Sequence, residues 1–246
     1  MPPPTPKTSK APVNKLLAAL PDADYKKVEP HLEECKLERD QILWEMDEVR
    51  EHVYFPIDSM ICLLYETENG ISVEVGMTGR QGMVGVVTFI GDAKMAKRAV
   101  VQNAGRACRI SGKEIERLLK ESEALKDICL SYTQALLAQI SQNAICNRLH
   151  SVDKQVSRYF LSTYDCLGTR QFTVTHMQIA NTLGVRRETV SVAARELQDQ
   201  GLIEYSRGNL KILDRPGLMA VTCECYDAVR EQYKRILKDY ISEHDD

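Results

Sequence analysis

Between residues 175 and 213 the apolar positions change period twice. Ile179, Ala180 and Leu183 fall on one helical face. After Gly184, Val190, Ala193, Ala194 and Leu197 form a second face within a helix predicted over 186–200. That register leaves Arg187, Glu188, Ser191, Val192 and Arg195 for the outer face. Thr175 with Gln178 three residues on makes a capping box that starts the first helix, and Gly184 suits a turn needing positive φ. Two short apolar runs, 202–205 and 210–213, then flank Ser206, Arg207, Gly208 and Asn209, which predicts a small hairpin with a cation at its tip.

Upstream the pattern differs. From Cys35 to Ser111, short β-branched runs at 60–65, 71–75 and 99–102 are bounded by Gly, Asn and Asp and predict strands, with Asn69-Gly70 as a two-residue hairpin turn. No Gly or Pro interrupts 113–167, so almost all of it is predicted helical. Leu125, Ile128, Tyr132, Leu136 and Ile140 make one stripe, with Leu130, Leu137, Ala144 and Ile145 beside it. A face that wide suits a helix packing on its own domain and on a partner helix together; an ordinary core helix in a monomer is the alternative. Ser151 is placed to cap a new helix through Val156, Tyr159, Phe160 and Leu161, which makes 149–151 a hinge candidate. Residues 216–241 return to a helical pattern, with Leu218, Val221, Tyr226, Val229, Tyr233, Ile236 and Leu237 available for packing. This extension has two candidate roles, covering the segment 175–213 or adding contacts to a partner chain.

Two helices around a glycine turn, the second entering a major groove amino end first, is helix-turn-helix geometry, and the hairpin behind it is a wing. Arg reads guanine bidentately and Glu accepts from cytosine N4, so Arg187 and Glu188 suit a G·C-containing half-site. The competing readings are a helix pair serving only as core and a winged helix used for protein contacts.

Arg187-Glu188-Thr189-Val190 resembles the recognition helix of the Crp/Fnr family of bacterial transcription regulators. By that resemblance Arg187 and Glu188 read bases, His176, Thr189, Ser206, Arg207 and Gly208 meet phosphate or sugar, and Arg186, Ser191, Val192 and Arg195 complete the DNA-binding set. Family members of the catabolite-activator type carry a second base-reading Arg where this chain has Val192, so a thymine methyl contact is the expectation there. The segments 53–59 and 76–85 look like the family's double-stranded β-roll effector domain.

The implied fold is α+β: a tail over 1–20, expected to be disordered, a β-roll over 21–121, a dimerisation helix over 122–150, a winged helix-turn-helix over 151–215 and a helical extension over 216–246. The implied function is sequence-specific DNA binding as a homodimer on a palindromic site, with RNA polymerase a further candidate partner. Rotation at 149–151 would then set the spacing of two recognition helices, which a two-fold site holds about 34 Å apart. Cyclic-nucleotide receptors of the family present a Glu to the ribose after a glycine, but here Gly85 is followed by Val86. An unpaired ribose hydroxyl costs about 1–3 kcal/mol, which argues against cyclic AMP control. Arg98 is the one weak candidate for an anionic effector. A cyclic-nucleotide-responsive regulator of the same fold is the alternative.

Composition narrows the classes. With 246 residues, 43% hydrophobic and 27% charged, the chain suits two globular domains, and no apolar run approaches the ~20 residues of a membrane helix. The proline-rich start lacks the apolar core of a secretory signal, so a cytoplasmic location is expected. A net charge of −3 excludes a general nucleic-acid coat and requires local phosphate attraction. Of the eight cysteines, 35, 62, 108, 129, 146 and 166 are isolated, and Cys223-Glu-Cys225 lacks the second CxxC or His pair of a zinc motif. No metal site and no cofactor are expected: nothing resembles the family's amino-terminal iron–sulfur cysteines, and no Cys-x-His in the predicted roll accompanies prolines 2–4 as a haem-binding branch would require. A metal- or redox-sensing regulator using its cysteines is the remaining alternative. The histidines at 31, 52, 150, 176 and 244 form no catalytic constellation, so no enzyme is expected.

Overall fold

A computed structural model of the protein describes residues 14–45, 51–66, 68, 72–85 and 98–236. Residues 14–20 are ordered, where the sequence suggests a tail. Asn14 caps α1 (Lys15–Ala18) by accepting from the Leu16 and Leu17 amides, and its Nδ2 donates to the carbonyls of Pro56 and Gly82, each at 2.8 Å. Leu16, Leu17 and Leu20 are buried. The expectation of a disordered tail over 1–20 is therefore corrected for 14–20: an Asn cap followed by leucines at helical spacing buries enough apolar surface to offset ordering.

After α2 (Asp22–Val28) come β1 (Glu33–Leu37), β2 (Ile42–Trp44), β3 (His52–Pro56), β4 (Met60–Glu66), β5 (Ser72–Thr78), β6 (Arg98–Asn103) and β7 (Gly105–Ser111). They form two antiparallel sheets, ordered β1-β7-β3 and β2-β6-β4-β5. The predicted strands are present; the predicted Asn69-Gly70 turn, Ile71 and the Val86 position lie outside the described residues. β4 explains its own continuous apolar run. Ile61 and Leu63 join the core inside the roll, while Met60 and Cys62, on the opposite face, join a second core with Tyr159, Phe160 and Met77. A strand buried on both faces has no polar side to display.

The long helical stretch is three helices. α3 (Gly112–Glu121) is capped by Ser111, α4 (Glu123–Leu149) runs for 27 residues, and α5 (Val152–Leu167) ends at Gly168 in the left-handed region. Ser151 stands at the predicted start of α5, but its side chain makes no capping bond. α4 lies on the roll through Leu125, Cys129, Tyr132 and Leu136. Tyr132 approaches so closely that a Cβ on Gly82 would sit 2.5 Å from its ring, which is why that position needs glycine.

The carboxy-terminal part comprises β8 (Gln171–Thr173), α6 (His176–Leu183), α7 (Arg187–Asp199), β9 (Ile203–Ser206), β10 (Asn209–Ile212), α8 (Arg215–Val221) and α9 (Cys225–Ile236). The wing sheet is ordered β8-β10-β9, so the predicted hairpin gains a third strand. The helix predicted over 216–241 is instead two helices separated at 222–224, with Leu237 and Ile241 outside the described residues. α9 turns back onto α4. Tyr233 lies 6.3 Å from the Tyr132 ring and its hydroxyl accepts from Gln139, whose carbonyl takes the Met77 amide. Tyr226 donates to Asp165 of α5 and accepts from the buried Arg215. Each of these buried rings contributes about 1.5–3 kcal/mol, so the described part of the extension, to residue 236, is packed on its own chain.

Candidate nucleic-acid interface

The turn between α6 and α7 is made by local chemistry. Thr175 and Gln178 form the reciprocal capping box at α6. Gly184 ends it at φ 67°, and a Cβ there would meet nothing within 4 Å. The glycine is thus needed for its backbone conformation, not for space. α7 begins after Arg186, which offers no side-chain cap, so the helix's positive end has no side chain closing it.

The burial of α7 follows the predicted register. Val190, Ala193, Ala194 and Leu197 are buried. Arg186, Arg187, Glu188, Thr189 and Arg195 are exposed, and Val192 is 58% exposed, an apolar side chain displayed among charges. At the wing tip Arg207 (φ 51°) and Gly208 (φ 83°) make a two-residue turn with both φ positive. Ser206, at the end of β9, and Arg207 are exposed there.

His176 differs from its assigned place. Its ring stacks on Tyr205 at 4.5 Å, and Nδ1 lies 2.8 Å from the Ser191 hydroxyl. Ser191 in turn donates to the Arg187 carbonyl, so Nδ1–H is the donor to Ser191 and Nε2, enclosed, has no hydrogen-bond partner. Burial, then the neighbouring Arg187 charge, hold the His176 pKa below its ordinary value. The ring thus links α7 to the wing, with both ring nitrogens directed into the protein. Ser191 is half-buried by the same bonds.

The β-roll also reaches this region, through residues that sequence reasoning missed. Arg39 donates to Gln178, Asn103 to the Thr173 carbonyl, and Thr182 to the Glu74 carboxylate at 2.9 Å. Glu74 is buried and its carboxyl is pushed up to about 7 by burial, against the opposing pull of Cys62, Thr182 and Arg158. Nothing in the local pattern around Glu74 marks it, because its neighbour comes from a helix 108 positions away. Arg98, the weak effector candidate, forms an ion pair with Glu45 at 3.2 Å.

A second group of chemistry-bearing side chains lies at the far end of α4. Cys146 and His150 meet Cys223 and Cys225 there. The sequence reading found no second ligand pair beside Cys223 and Cys225; in the fold, Cys146 and His150 of another helix stand next to them.

A family model described as the Crp-like helix-turn-helix domain matches residues 154–221, and one described as the cyclic nucleotide-binding domain matches residues 34–122. Together they take in well over half of the chain. The chain belongs to the Crp/Fnr family. This regulator shares its fold with a putative transcriptional regulator of that family from Eubacterium rectale, at 18% identity over 84% of this chain and 96% of that one, TM-score 0.61. FixK2 from Bradyrhizobium japonicum matches at 15% identity over 78% and 98%, TM-score 0.67. A putative cAMP-binding regulatory protein from Silicibacter pomeroyi matches at 19% over 83% and 93%, TM-score 0.60. No curated protein matches the regulator in sequence. Among the described residues no helix is long and apolar enough to cross a membrane.

Proposed function

We propose that this transcription regulator binds a two-fold DNA site as a homodimer, with α7 in the major groove and the wing on the flanking backbone. One observation carries the reading: Arg187, Glu188, Thr189 and Val192 are displayed outward at the uncapped first turns of α7, beside the cationic wing tip. Arg187 and Glu188 are the base readers, Val192 the thymine methyl contact, and Arg186, Thr189, Arg195, Ser206, Arg207 and Gly208 the backbone contacts. His176 and Ser191 hold the frame. A second copy docks along α4, where Leu130, Leu137, Ile145 and Leu149 stand 45–71% exposed on the side away from the roll and α9.

Selection from a random duplex pool tests this directly: a palindromic consensus bound by a dimer is expected, and equal retention of all sequences would end the proposal. Arg187→Ala should lose about 1–3 kcal/mol of discrimination at one base pair of each half-site, while Arg207→Ala should weaken all sequences alike and reduce the salt slope by about 1.

We further propose that cyclic AMP is not the controlling ligand. The support is Val86 where a ribose-binding Glu would stand, the pairing of Arg98 with Glu45, and the packing of Tyr132 directly on Gly82. Calorimetry with cyclic AMP and cyclic GMP should give no heat of binding; saturable binding of either overturns this part alone.

A further inference from the structure

Cys146 and His150 are one turn apart on the last stretch of α4, so both side chains leave the same face. Cys223 and Cys225 bracket Glu224 at the start of α9, and α9 packs along α4. The four ligand atoms lie within 4.8 Å of one another. Cys146 Sγ is 3.5 Å from Cys223 Sγ, and Cys225 Sγ is 3.4 Å from His150 Nδ1. A tetrahedral zinc site with bonds near 2.3 Å to sulfur and 2.0 Å to nitrogen has ligand-to-ligand edges of about 3.5–3.8 Å. The Cys146–Cys223 and Cys225–His150 separations are close to such edges, and the remaining pairs lie within 4.8 Å.

We infer that Cys146, His150, Cys223 and Cys225 form a Cys3His site for a single Zn(II) ion, which fastens the carboxy-terminal extension to the junction between α4 and α5.

The surroundings fit the ion. His150 turns Nδ1 inward while Nε2 lies 3.2 Å from the Glu224 carboxylate, the outer partner that fixes the tautomer of a zinc-bound histidine. Gln142 donates to Cys225 Sγ at 3.1 Å, and the buried Arg158 lies beside Cys146, where a cation offsets the net negative charge of three thiolates on Zn(II). The three cysteines are buried, and they make a small cluster separate from both main cores. Three thiolates and an imidazole favour zinc over the oxygen-seeking magnesium and calcium. Four protein ligands leave no open coordination position, so the ion has a structural or regulatory role and not a hydrolytic one.

The location gives the ion leverage. His150 is the residue at which α4 stops, and Gln155 of α5 donates to the carbonyls of both Cys146 and His150. An ion bonded to His150 and to Cys223 and Cys225 would cross-link the end of α4 to the link between α8 and α9, and so resist rotation at the junction.

Full-length protein purified anaerobically, stripped with reductant and chelator, and titrated with Zn(II) against a chromophoric competitor tests the site without DNA. One Zn(II) per chain is expected, and Co(II) in its place should show tetrahedral ligand-field bands with thiolate charge transfer. Cys223→Ser and Cys225→Ser should each weaken binding by at least about tenfold, while Cys35→Ser, remote from the site, should not. Substoichiometric metal, a Co(II) spectrum without thiolate bands, or a Cys146–Cys223 disulfide in the anaerobic protein would overturn the proposal. The Co(II) spectrum decides it even if a serine variant misfolds. Hydrogen exchange reads the cross-link: loading Zn(II) should slow amide exchange at 147–155 and 222–226 by about tenfold or more, and unchanged exchange there in a zinc-loaded protein overturns the fastening role.

Discussion

Two breaks divide the helical stretch between Gly112 and Leu167, and they are built differently. At the first, Ser122 is buried; its hydroxyl accepts from the Leu125 amide and donates to Asp24. The same residue closes α3 through its backbone amide to the Leu118 carbonyl and starts α4 through its side chain, so the capping of that corner is local, with Asp24 as its distant partner. At the second, Ser151 gives no side-chain cap. The end of α4 is held by Gln155, by the contact of His150 with Glu224, and by α9. That junction is closed partly by Gln155 and partly by elements distant in sequence, so its geometry depends on how those elements pack.

The largest effect that sharpens this contrast comes from Glu74, whose contact with Thr182 spans the second junction from roll to α6. Its carboxyl, ordinarily near 4.5, is raised to about 7 in the folded protein. The folded state therefore holds the proton more tightly than the unfolded chain. The associated stabilisation is full below pH 4.5 and is lost as pH rises through about 7, a change on the order of 3 kcal/mol. Denaturant titrations from pH 4.5 to 8 should show that fall, and Glu74→Gln should remove it; equal slopes in the two proteins would refute the assignment.

Next in size is Gln155→Ala. It strips the hydrogen-bond donor from the carbonyls of Cys146 and His150, at a cost of about 1–3 kcal/mol read from the urea midpoint. Amide exchange should accelerate in the last turn of α4 and leave α3 untouched. The smallest effect is expected at the locally built corner. Ser122→Ala should cost about 1 kcal/mol in thermal melts, with DNA affinity unchanged; an altered affinity would mean that the two breaks do not differ as described.

The winged helix was the most legible part of the chain because its determinants are close in sequence. Thr175, Gln178, Gly184 and the 3.6-residue register of α7 specify caps, turn and exposed face within about twenty-five positions, and the structure repeats them. The strands at 60–66 and 72–78 were readable from β-branched runs. α1 was not, because a proline-rich start masked the capping Asn14 and the leucines behind it. Nor was β8, a three-residue strand that only the wing edge stabilises. For His176, spacing puts it near the DNA-facing surface but says nothing of Tyr205 stacking over it.

By itself the sequence determined the period of each element, the residues displayed by α7 and the family to which the chain belongs, since all three depend on short-range order along the backbone. Tertiary structure alone decided that Glu74 lies against Thr182, that α9 folds back onto α4, and that Cys146 and His150 meet Cys223 and Cys225 across 77 and 75 positions. Such encounters are fixed by how buried faces stack in three dimensions, and no local pattern records which distant face will be opposite.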